Sequence, residues 1–407
     1  MIQETARRLG LGGLALAVAT FSVQQAQGYS FNQVVPDVRQ PASLSGGSAC
    51  PVRAHRPTGS GSVAVQWSTA FGTNPVAILT QDQTTSGRLN EIEQAIQQSL
   101  GVWTGVSGTT LTPASPAPLA RTAVANACGS DGLNSICFDQ NDAAFTPGVL
   151  AFTRVITADR IGEQIGSAIS AEVGQILDAD IYFSSSDPRT AFATPLALFT
   201  NPNAYDLESV LTHELGHFLG FSHSAVWSAI MFPFAPAPGT YAGPRPTAQQ
   251  PDAPLAEDDR TGLRALYPDP NDMVHTGTIT GRILAANPLS LLISPPGVTG
   301  IFGAQVVAVD ASSGAAMGGA IGGWSCSGTG PVQFDGTYVL ERLAAGNGTS
   351  YKIYAEPLNG AVNPAAVSNA TSSLCRNAMT DAGWPAAASC IVPSVDTSFT
   401  IHMRPSP

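Results

Sequence analysis

Three of the chain's six histidines, His213, His217 and His223, fall in one stretch of eleven residues. Positions four apart lie on the same face of a helix, so His213 and His217 can direct two imidazoles at one metal ion. Glu214 lies about 100° further round, where it can reach a water on the metal without binding the metal itself. Gly220 lets the chain leave the helix, and the turn brings His223 back as a third ligand. Three neutral imidazoles with one open position are typical of a catalytic zinc site, because structural zinc sites have four protein ligands.

The residues before the histidines carry the signals that begin a helix. Asp206 predicts the N-cap, and Tyr205 and Val210 are spaced as a hydrophobic staple. Leu211 and Phe218 lie opposite the histidines, so one face of the helix can pack while the other lines a cleft. The alternative, an amphipathic helix that carries histidines by chance, accounts poorly for the complete eleven-residue pattern.

The extended pattern H-E-x-x-H-x-x-G-x-x-H resembles that of the metzincin metallopeptidases, which also have a methionine turn downstream. Met231 follows His223 at a suitable distance for that turn. Residues 255–268 resemble the closing helix of the matrixin branch, the matrix-metalloproteinase-like enzymes. The resemblance is specific over 205–268 and looser over 60–200, and it does not extend to the rest of the chain.

This resemblance implies an α+β fold in which a twisted mixed sheet accompanies a zinc-binding helix and a closing helix. It implies one Zn²⁺ on the three histidines and hydrolysis of peptide bonds, with Glu214 as general base and then as general acid. Met231 would form an apolar floor under the histidines without binding the metal. Asp258 would receive a new N-terminal ammonium after activation, and Asp259 would brace the methionine turn.

The resemblance also predicts where a substrate binds. The strand that contains Ile181, Tyr182 and Phe183 would be the sheet edge above the cleft and would pair with an extended substrate backbone. Pro233 begins a proline-rich loop, and in matrixins this loop lines the pocket for the side chain after the scissile bond. A plain surface connection is an equally good interpretation of the loop, and the family's usual Pro-x-Tyr is absent here.

Chain length and local pattern predict several domains, since 407 residues exceed one typical domain. Residues 29–59 lack a clear period and predict an N-terminal arm or a short pro-segment. Residues 60–271 form the metzincin-like domain, with a helix expected over 89–103 and strands over 149–156 and 179–183.

Residues 274–407 change to short alternating runs separated by Gly, Ser, Asn and Pro, which predicts an all-β sandwich. We expect strands over 278–284, 305–309, 337–340, 352–355 and 395–403. The segments Gly277–Ile283, Gly303–Val309 and Asp335–Tyr338 resemble carboxypeptidase-regulatory-like, prealbumin-like modules. No catalytic group of residues is evident in this part of the sequence.

The N-terminus predicts a secretory signal peptide over residues 1–28. Arg7 and Arg8 precede an apolar run, Leu9–Val23, that is too short to span a bilayer, and Ala26-Gln27-Gly28 suits cleavage. No later run is long and apolar enough to span a membrane. The net charge of −11 argues against nucleic acid and anionic membranes as partners. We expect a secreted monomer, extracellular or periplasmic, that acts on a protein or peptide substrate.

The six cysteines favour disulfides, because their number is even and the chain is predicted to be exported. Proximity suggests Cys128–Cys137 and Cys375–Cys390, which leaves Cys50 with Cys326 or both free.

Calcium is a second candidate ion, which matrixins often bind. Asp139, Asn141 and Asp142 form one candidate group, and Asp178 and Asp180 form another. Asx residues in loops form turns more often than metal sites, so the turn interpretation is favoured.

Two other classes of function compete with a zinc peptidase. A binding protein with an inactive peptidase fold would have lost Glu214 or a histidine, and none is lost here. A surface adhesin would work through the region 274–407, with the zinc domain in a secondary role.

Overall fold

The structure is a computed structural model, and it describes residues 89–111, 128–284, 300–321 and 336–357, apart from short stretches inside these ranges. It also describes the strand residues 33–34, 57–58, 62–64, 79–81, 121–122 and 399–402. Several predictions fall outside the described residues: the signal peptide, the pairings of Cys50, Cys326, Cys375 and Cys390, and calcium binding by Asn141 and Asp142.

Helix α1 (Leu89–Thr104) confirms the helix that the sequence predicts over 89–103. Its apolar residues recur at helical spacing, and Ile92, Ile96 and Trp103 are buried. The indole N–H of Trp103 donates to the carbonyl oxygen of Thr212 at 2.8 Å. This bond joins α1 directly to the helix that carries the histidines.

The strands before residue 207, numbered in chain order, are β1 (Gln33–Val34), β2 (Pro57–Thr58), β3 (Ser62–Ala64), β4 (Leu79–Gln81), β5 (Arg121–Thr122), β6 (Ser135–Gln140), β7 (Ala151–Thr157), β8 (Gln164–Ile165), β9 (Ala168–Ile169), β10 (Ile176–Ser184), β11 (Phe192–Ala193) and β12 (Tyr205–Asp206). Five of them form the main sheet in the order β5-β4-β6-β10-β7. Neighbouring strands are parallel except for β7, which runs antiparallel to β10. The predicted strands over 149–156 and 179–183 correspond to β7 and β10.

The strand order corrects the predicted sheet edge. Ile181 pairs with Ile136 of β6 on one side and with Thr153 of β7 on the other. Ile181, Tyr182 and Phe183 are therefore internal, and all three are buried. The edge of the described sheet on this side is β7. Sequence could not separate the two strands, because strand order depends on contacts between distant parts of the chain.

Two further helices, α2 (Leu207–Phe218) and α3 (Glu257–Leu266), complete a domain whose helices and sheets are consistent with an α+β fold. One hydrophobic core takes side chains from the three helices described here and from the main sheet, among them Ile96, Ile181, Leu215 and Leu263. The helix with the histidines is thus packed on both the sheet and its neighbouring helices.

Beyond residue 272 the described chain has only strands, namely β13 (Thr276–Arg282), β14 (Ala304–Asp310), β15 (Ala316–Ile321), β16 (Thr337–Ala344), β17 (Ser350–Pro357) and β18 (Phe399–His402). They form a two-stranded sheet, β13-β16, and a four-stranded sheet, β15-β14-β17-β18. Both sheets contribute to one apolar cluster, which includes Leu340 and Ile353. The five predicted strands are present, whereas β15, which has little side-chain pattern, was not predicted. A β-sandwich stays a prediction for this region.

A smaller apolar cluster joins the two regions. Val226 and Ala229, which follow the third histidine, pack with Val307, Val309 and Ala316 of the C-terminal strands. The C-terminal strands therefore contact the segment that leads from the metal-binding residues to α3.

Candidate metal centre

Helix α2 begins where the sequence predicts. Asp206 is its N-cap, and the carboxylate accepts hydrogen bonds from the backbone N–H and the hydroxyl of Ser209 at 2.7 and 2.8 Å. An N-cap acceptor satisfies a backbone donor that the first turn of a helix leaves without a partner. The first turn of α2 is therefore fixed by the polar residue that precedes it, ahead of His213 and His217.

The end of α2 turns the chain back towards the same histidines. The helix ends at Phe218, and Gly220 has a φ of +108°, in a region where a Cβ is strained. The N–H of Phe221 then donates to the carbonyl oxygen of Gly216 at 3.0 Å. This tight turn brings the ring of His223 against the two helical imidazoles.

The three imidazoles converge. Ring centroids lie 4.8 Å apart for His213 with His217 and for His217 with His223, and 5.3 Å apart for His213 with His223. One possible ligand atom from each ring lies within 4.8 Å of the others. Within the described residues, no other group of three His, Cys, Asp or Glu side chains could bind a metal in this way. The arrangement fits one ion held by three nitrogens.

Backbone carbonyls select which ring nitrogens can bind the ion. Nδ1 of His213 lies 2.7 Å from the carbonyl oxygen of Ile230, and Nδ1 of His217 lies 2.9 Å from that of Phe221. A carbonyl can only accept, so each Nδ1 carries the hydrogen and each Nε2 keeps its lone pair. Burial lowers the pKa of both histidines, and the nearby His217 and His223 lower the pKa of His213 further. Neutral imidazoles are the form that zinc binds, so these residues fit a zinc site.

Glu214 lies next to this cluster in the chain but is not a member of it. Its side chain is 4% exposed, and burial raises the pKa of its carboxyl to about 7. The hydroxyl of Thr153 on β7 donates to Oε2 at 2.6 Å, which lowers that pKa in part. A carboxyl in this range can accept and release a proton near neutral pH, as general acid–base chemistry requires.

Met231 packs against helix α2 at Gly216, a position that the histidine motif leaves variable. Met231 is fully buried, and a Cβ on Gly216 would lie 2.1 Å from its Sδ and 2.8 Å from Cζ2 of Trp103. Any residue larger than glycine at this position would push the methionine turn away from α2. Sequence reasoning missed Gly216, because this requirement comes from residues in other segments and leaves no local signal.

Asp259 contacts the backbone of the methionine turn. Its carboxylate accepts the N–H of Ile230 at 2.8 Å and the N–H of Met231 at 3.3 Å, and it also accepts the N–H of Ala256 at 2.9 Å. Burial raises the pKa of Asp259 to about 6. Because the carbonyl of Ile230 accepts from His213, the same peptide segment connects this carboxylate to a candidate ligand.

Asp258 contacts the start of the same turn. It is fully buried and accepts a hydrogen bond from the hydroxyl of Ser224 at 2.8 Å. The oxygen of Ser224 in turn accepts the N–H of Val226 at 3.1 Å. The residue directly after the third histidine is thereby tied to α3, whereas the ion pair of Asp258 with a new N-terminal ammonium stays a prediction.

Pro233 begins the loop that was predicted to line a pocket or to be a surface connection. It is half-buried, and Phe234 beside it is 69% exposed. Further on, the hydroxyl of Tyr241 donates to Glu208 at 2.9 Å, and the guanidinium of Arg245 lies 3.9 Å over the Tyr241 ring and 3.4 Å from Glu208. These contacts tie the loop to the first turn of α2. Sequence reasoning missed them, because no spacing rule relates the loop to that turn.

Comparison with known proteins agrees with this geometry. Residues 73–268 match the family described as Matrixin. Metalloendoproteinase 1-MMP of Arabidopsis thaliana is 38% identical over 95 residues, which cover 21% of this chain and 23% of that protein. Metalloendoproteinase 1 of Glycine max is 37% identical over 110 residues, covering 27% and 30%. Metalloendoproteinase 5-MMP of Arabidopsis thaliana is 45% identical over 62 residues, covering 15% and 14%. In each case the match spans less than a third of the relative.

Proposed function

We propose, from the matrixin domain that residues 73–268 form, that this chain is a secreted zinc endopeptidase that hydrolyses peptide bonds of proteins. The observation that carries the proposal is the convergence of three half-buried imidazoles, two of them held neutral, beside a buried carboxylate outside their cluster. The relatives named above are metalloendoproteinases, which supports the same class of enzyme.

Each residue of the site has a role in this proposal. His213, His217 and His223 hold Zn²⁺, with Nε2 as the ligand atom of the two helical histidines. When bound, the ion supplies Lewis acidity, which polarises the scissile carbonyl and lowers the pKa of a water molecule towards about 7. The carboxylate of Glu214 takes a proton from the attacking water and later donates it to the departing amine. Met231 keeps the region under the imidazoles apolar.

The substrate would bind along β7 rather than along the strand that contains Ile181. An extended peptide can add to a free sheet edge through backbone hydrogen bonds, without regard to its sequence. β7 is one of the two edge strands of the described sheet, and α2 packs beside it through the contact of Thr153 with Glu214. The loop after Pro233 would contact the side chain that follows the scissile bond.

The pattern of residues at the N-terminus supports the proposed secretion. Leu9–Val23 has the length of a signal-peptide apolar run, with basic residues before it and small residues after it. Among the described residues, no helix combines the length and the apolar character that crossing a bilayer requires.

The proposal is tested by the variant Glu214→Gln, which keeps the shape of the side chain and removes the base. We expect kcat on a denatured protein to fall by at least about 100-fold, because general acid–base catalysis contributes this much or more. Zinc content should remain one ion per chain in both proteins, measured by elemental analysis. Removing the metal from the wild type with a chelator should abolish activity, and added zinc should restore it. Equal activity of the two proteins, or a folded wild type that binds no zinc, would contradict the proposal.

A further inference from the structure

The side chain of Thr153 on β7 contacts the carboxyl group of Glu214. Its hydroxyl oxygen lies 2.6 Å from Oε2 and 3.1 Å from the backbone carbonyl oxygen of the same residue. A threonine has one hydroxyl hydrogen, so the shorter contact to the carboxylate is the stronger hydrogen bond. Sixty-one positions separate the two residues, so the contact is a product of the fold.

This contact restricts how the carboxylate is oriented. A glutamate side chain has several rotatable bonds, and its final torsion is broad, so packing alone leaves the two oxygens poorly fixed. The hydroxyl binds Oε2 and leaves Oε1 for a water or a substrate group. A base that is held in place before the reaction avoids the cost of being ordered during it.

The position of Thr153 on an edge strand adds a second consequence. Its backbone pairs with Ile181 of β10, and the outer side of β7 has no partner strand in the described sheet. A substrate that added to β7 would therefore bind to the strand that also orients Glu214. Binding and proton transfer would share one rigid element.

We propose that Thr153 is a positioning residue for Glu214: its hydroxyl fixes Oε2 so that Oε1 is directed at the reacting water. This inference rests on the proposed peptidase function. Thr153 does not touch the substrate's reacting atoms, and it acts through the carboxylate.

The test compares Thr153→Val, which keeps the shape but removes the hydroxyl, with Thr153→Ser, which keeps the hydroxyl. We expect Thr153→Val to lower kcat by about tenfold or more, because a hydrogen bond to a charged group is lost. KM should change by less than about twofold, since the change affects the transition state rather than binding. Thr153→Ser should recover most of kcat, and zinc content should be unchanged in both variants.

Thr194 offers a matched control, because its hydroxyl donates to the carboxylate of Glu91 on α1 at 2.7 Å rather than to a residue of the metal centre. Thr194→Val removes the same type of bond, so it should lower stability by a similar amount and leave kcat unchanged. If Thr153→Val retains full kcat, or if Thr153→Ser is as impaired as Thr153→Val, the inference is wrong.

A second measurement needs no activity. In metal-free protein, a double-mutant cycle of Thr153→Val with Glu214→Ala reports the coupling of the two side chains in the unfolding midpoint. We expect Thr153→Val to lower the midpoint more when Glu214 is present than in Glu214→Ala, where the backbone carbonyl of residue 214 can still accept the hydroxyl. Additive effects would reject the contact, even in a protein that proves not to be a peptidase. An inactive wild type with a coupled cycle would instead reject the proposed function, and with it the catalytic role of Thr153.

Discussion

Two pairs of buried aspartates contact loops in this protein through similar chemistry but with different consequences. Asp178 and Asp180 on β10 face the loop of residues 128–137, whereas Asp258 and Asp259 at the start of α3 face the loop of residues 224–232. In both pairs, carboxylate oxygens accept hydrogen bonds from loop N–H or O–H groups. Buried donors of this kind must find an acceptor, so each pair fixes the path of its loop.

The first pair contacts a loop that is also closed covalently. Asp180 accepts the N–H of Gly129 and the N–H of Ser135, each at 2.8 Å, and Asp178 accepts the N–H of Asp131 at 3.2 Å. The predicted disulfide Cys128–Cys137 is present and links the two ends of this loop. The carboxylates and the disulfide therefore restrain the same segment.

The second pair contacts a loop for which the described structure shows no disulfide. Ile230 in this loop donates its N–H to Asp259 and accepts from Nδ1 of His213 through its carbonyl. The loop is also held by apolar contacts, because Val226 and Ala229 pack on the C-terminal strands. The first pair therefore affects stability, whereas the second pair affects both stability and the orientation of a metal ligand.

Replacing Asp259 should have the largest effect, because three backbone N–H groups lose their acceptor. We expect Asp259→Ala to lower the free energy of unfolding by at least about 3 kcal/mol. Zinc affinity should fall about ten- to a hundredfold, as is typical when a residue that orients a metal ligand is removed. Urea unfolding of the metal-free protein and chelator competition measure the two effects.

The control for Asp259 is Asp252→Ala. The carboxylate of Asp252 bonds to the guanidinium of Arg260 at 2.6 Å in the same region, both side chains are largely buried, and this pair lies outside the hydrogen bonds of the methionine turn. Its loss removes hydrogen bonds to a charged partner, so it should cost about 2 kcal/mol but leave zinc affinity unchanged. Unchanged zinc affinity in Asp259→Ala would show that the turn orients His213 without this carboxylate.

Replacing Asp180 should have an intermediate effect that is confined to stability. Asp180→Ala leaves two backbone N–H groups without their acceptor, which costs about 2 kcal/mol. Zinc affinity should stay within about twofold of the wild type, because the hydrogen bonds of this loop in the described structure run to Asp178 and Asp180 rather than to the histidines. The loss of stability should grow when Cys128 and Cys137 are replaced by serine, since the hydrogen bonds are then the remaining restraint. A fall in zinc affinity as large as that in Asp259→Ala would remove the distinction between the pairs.

The helix with the histidines was predictable because its signals are local. Asp206, the histidine spacing and Gly220 lie within one segment, and each follows from the geometry of a helix or of its end. The Cys128–Cys137 disulfide was likewise predicted from closeness in sequence. Interactions between residues that are close in the chain can be predicted from the order of the residues alone.

Contacts between distant segments were not predictable in the same way. Thr153 has the sequence character of an ordinary strand residue, and its bond to Glu214 depends on how β7 and α2 pack. The edge was assigned to the strand of Ile181 because two apolar strands look alike until their neighbours are known. Gly216 was treated as variable because the crowding by Met231 comes from a later turn.

The smallest expected effect, taken per proton and per pH unit, concerns the protonation of the first pair. Burial, followed by repulsion from Asp178, raises the pKa of Asp180 to about 7, and burial raises that of Asp178 to about 6. In the unfolded chain both carboxyls have a pKa near 4. The folded protein therefore binds more protons between about pH 4 and pH 7, so stability falls as pH rises through this window. For a single proton, the slope is at most about 1.4 kcal/mol per pH unit.

Measuring the unfolding free energy of metal-free protein from pH 5 to pH 8 tests this sign. Asp180→Asn cannot ionise, so its stability should depend less on pH than that of the wild type over the same range.

Asp178 has a buried Oδ1 without a hydrogen-bond partner in the described structure, so the pair is also where added calcium would act if it binds here. If millimolar calcium stabilises the wild type at pH 8 but not Asp180→Asn, the pair is a cation site. It then differs from Asp258 and Asp259, which act on their loop through hydrogen bonds. If calcium has no effect and the slope has the expected sign, the pair acts on the loop through hydrogen bonds alone.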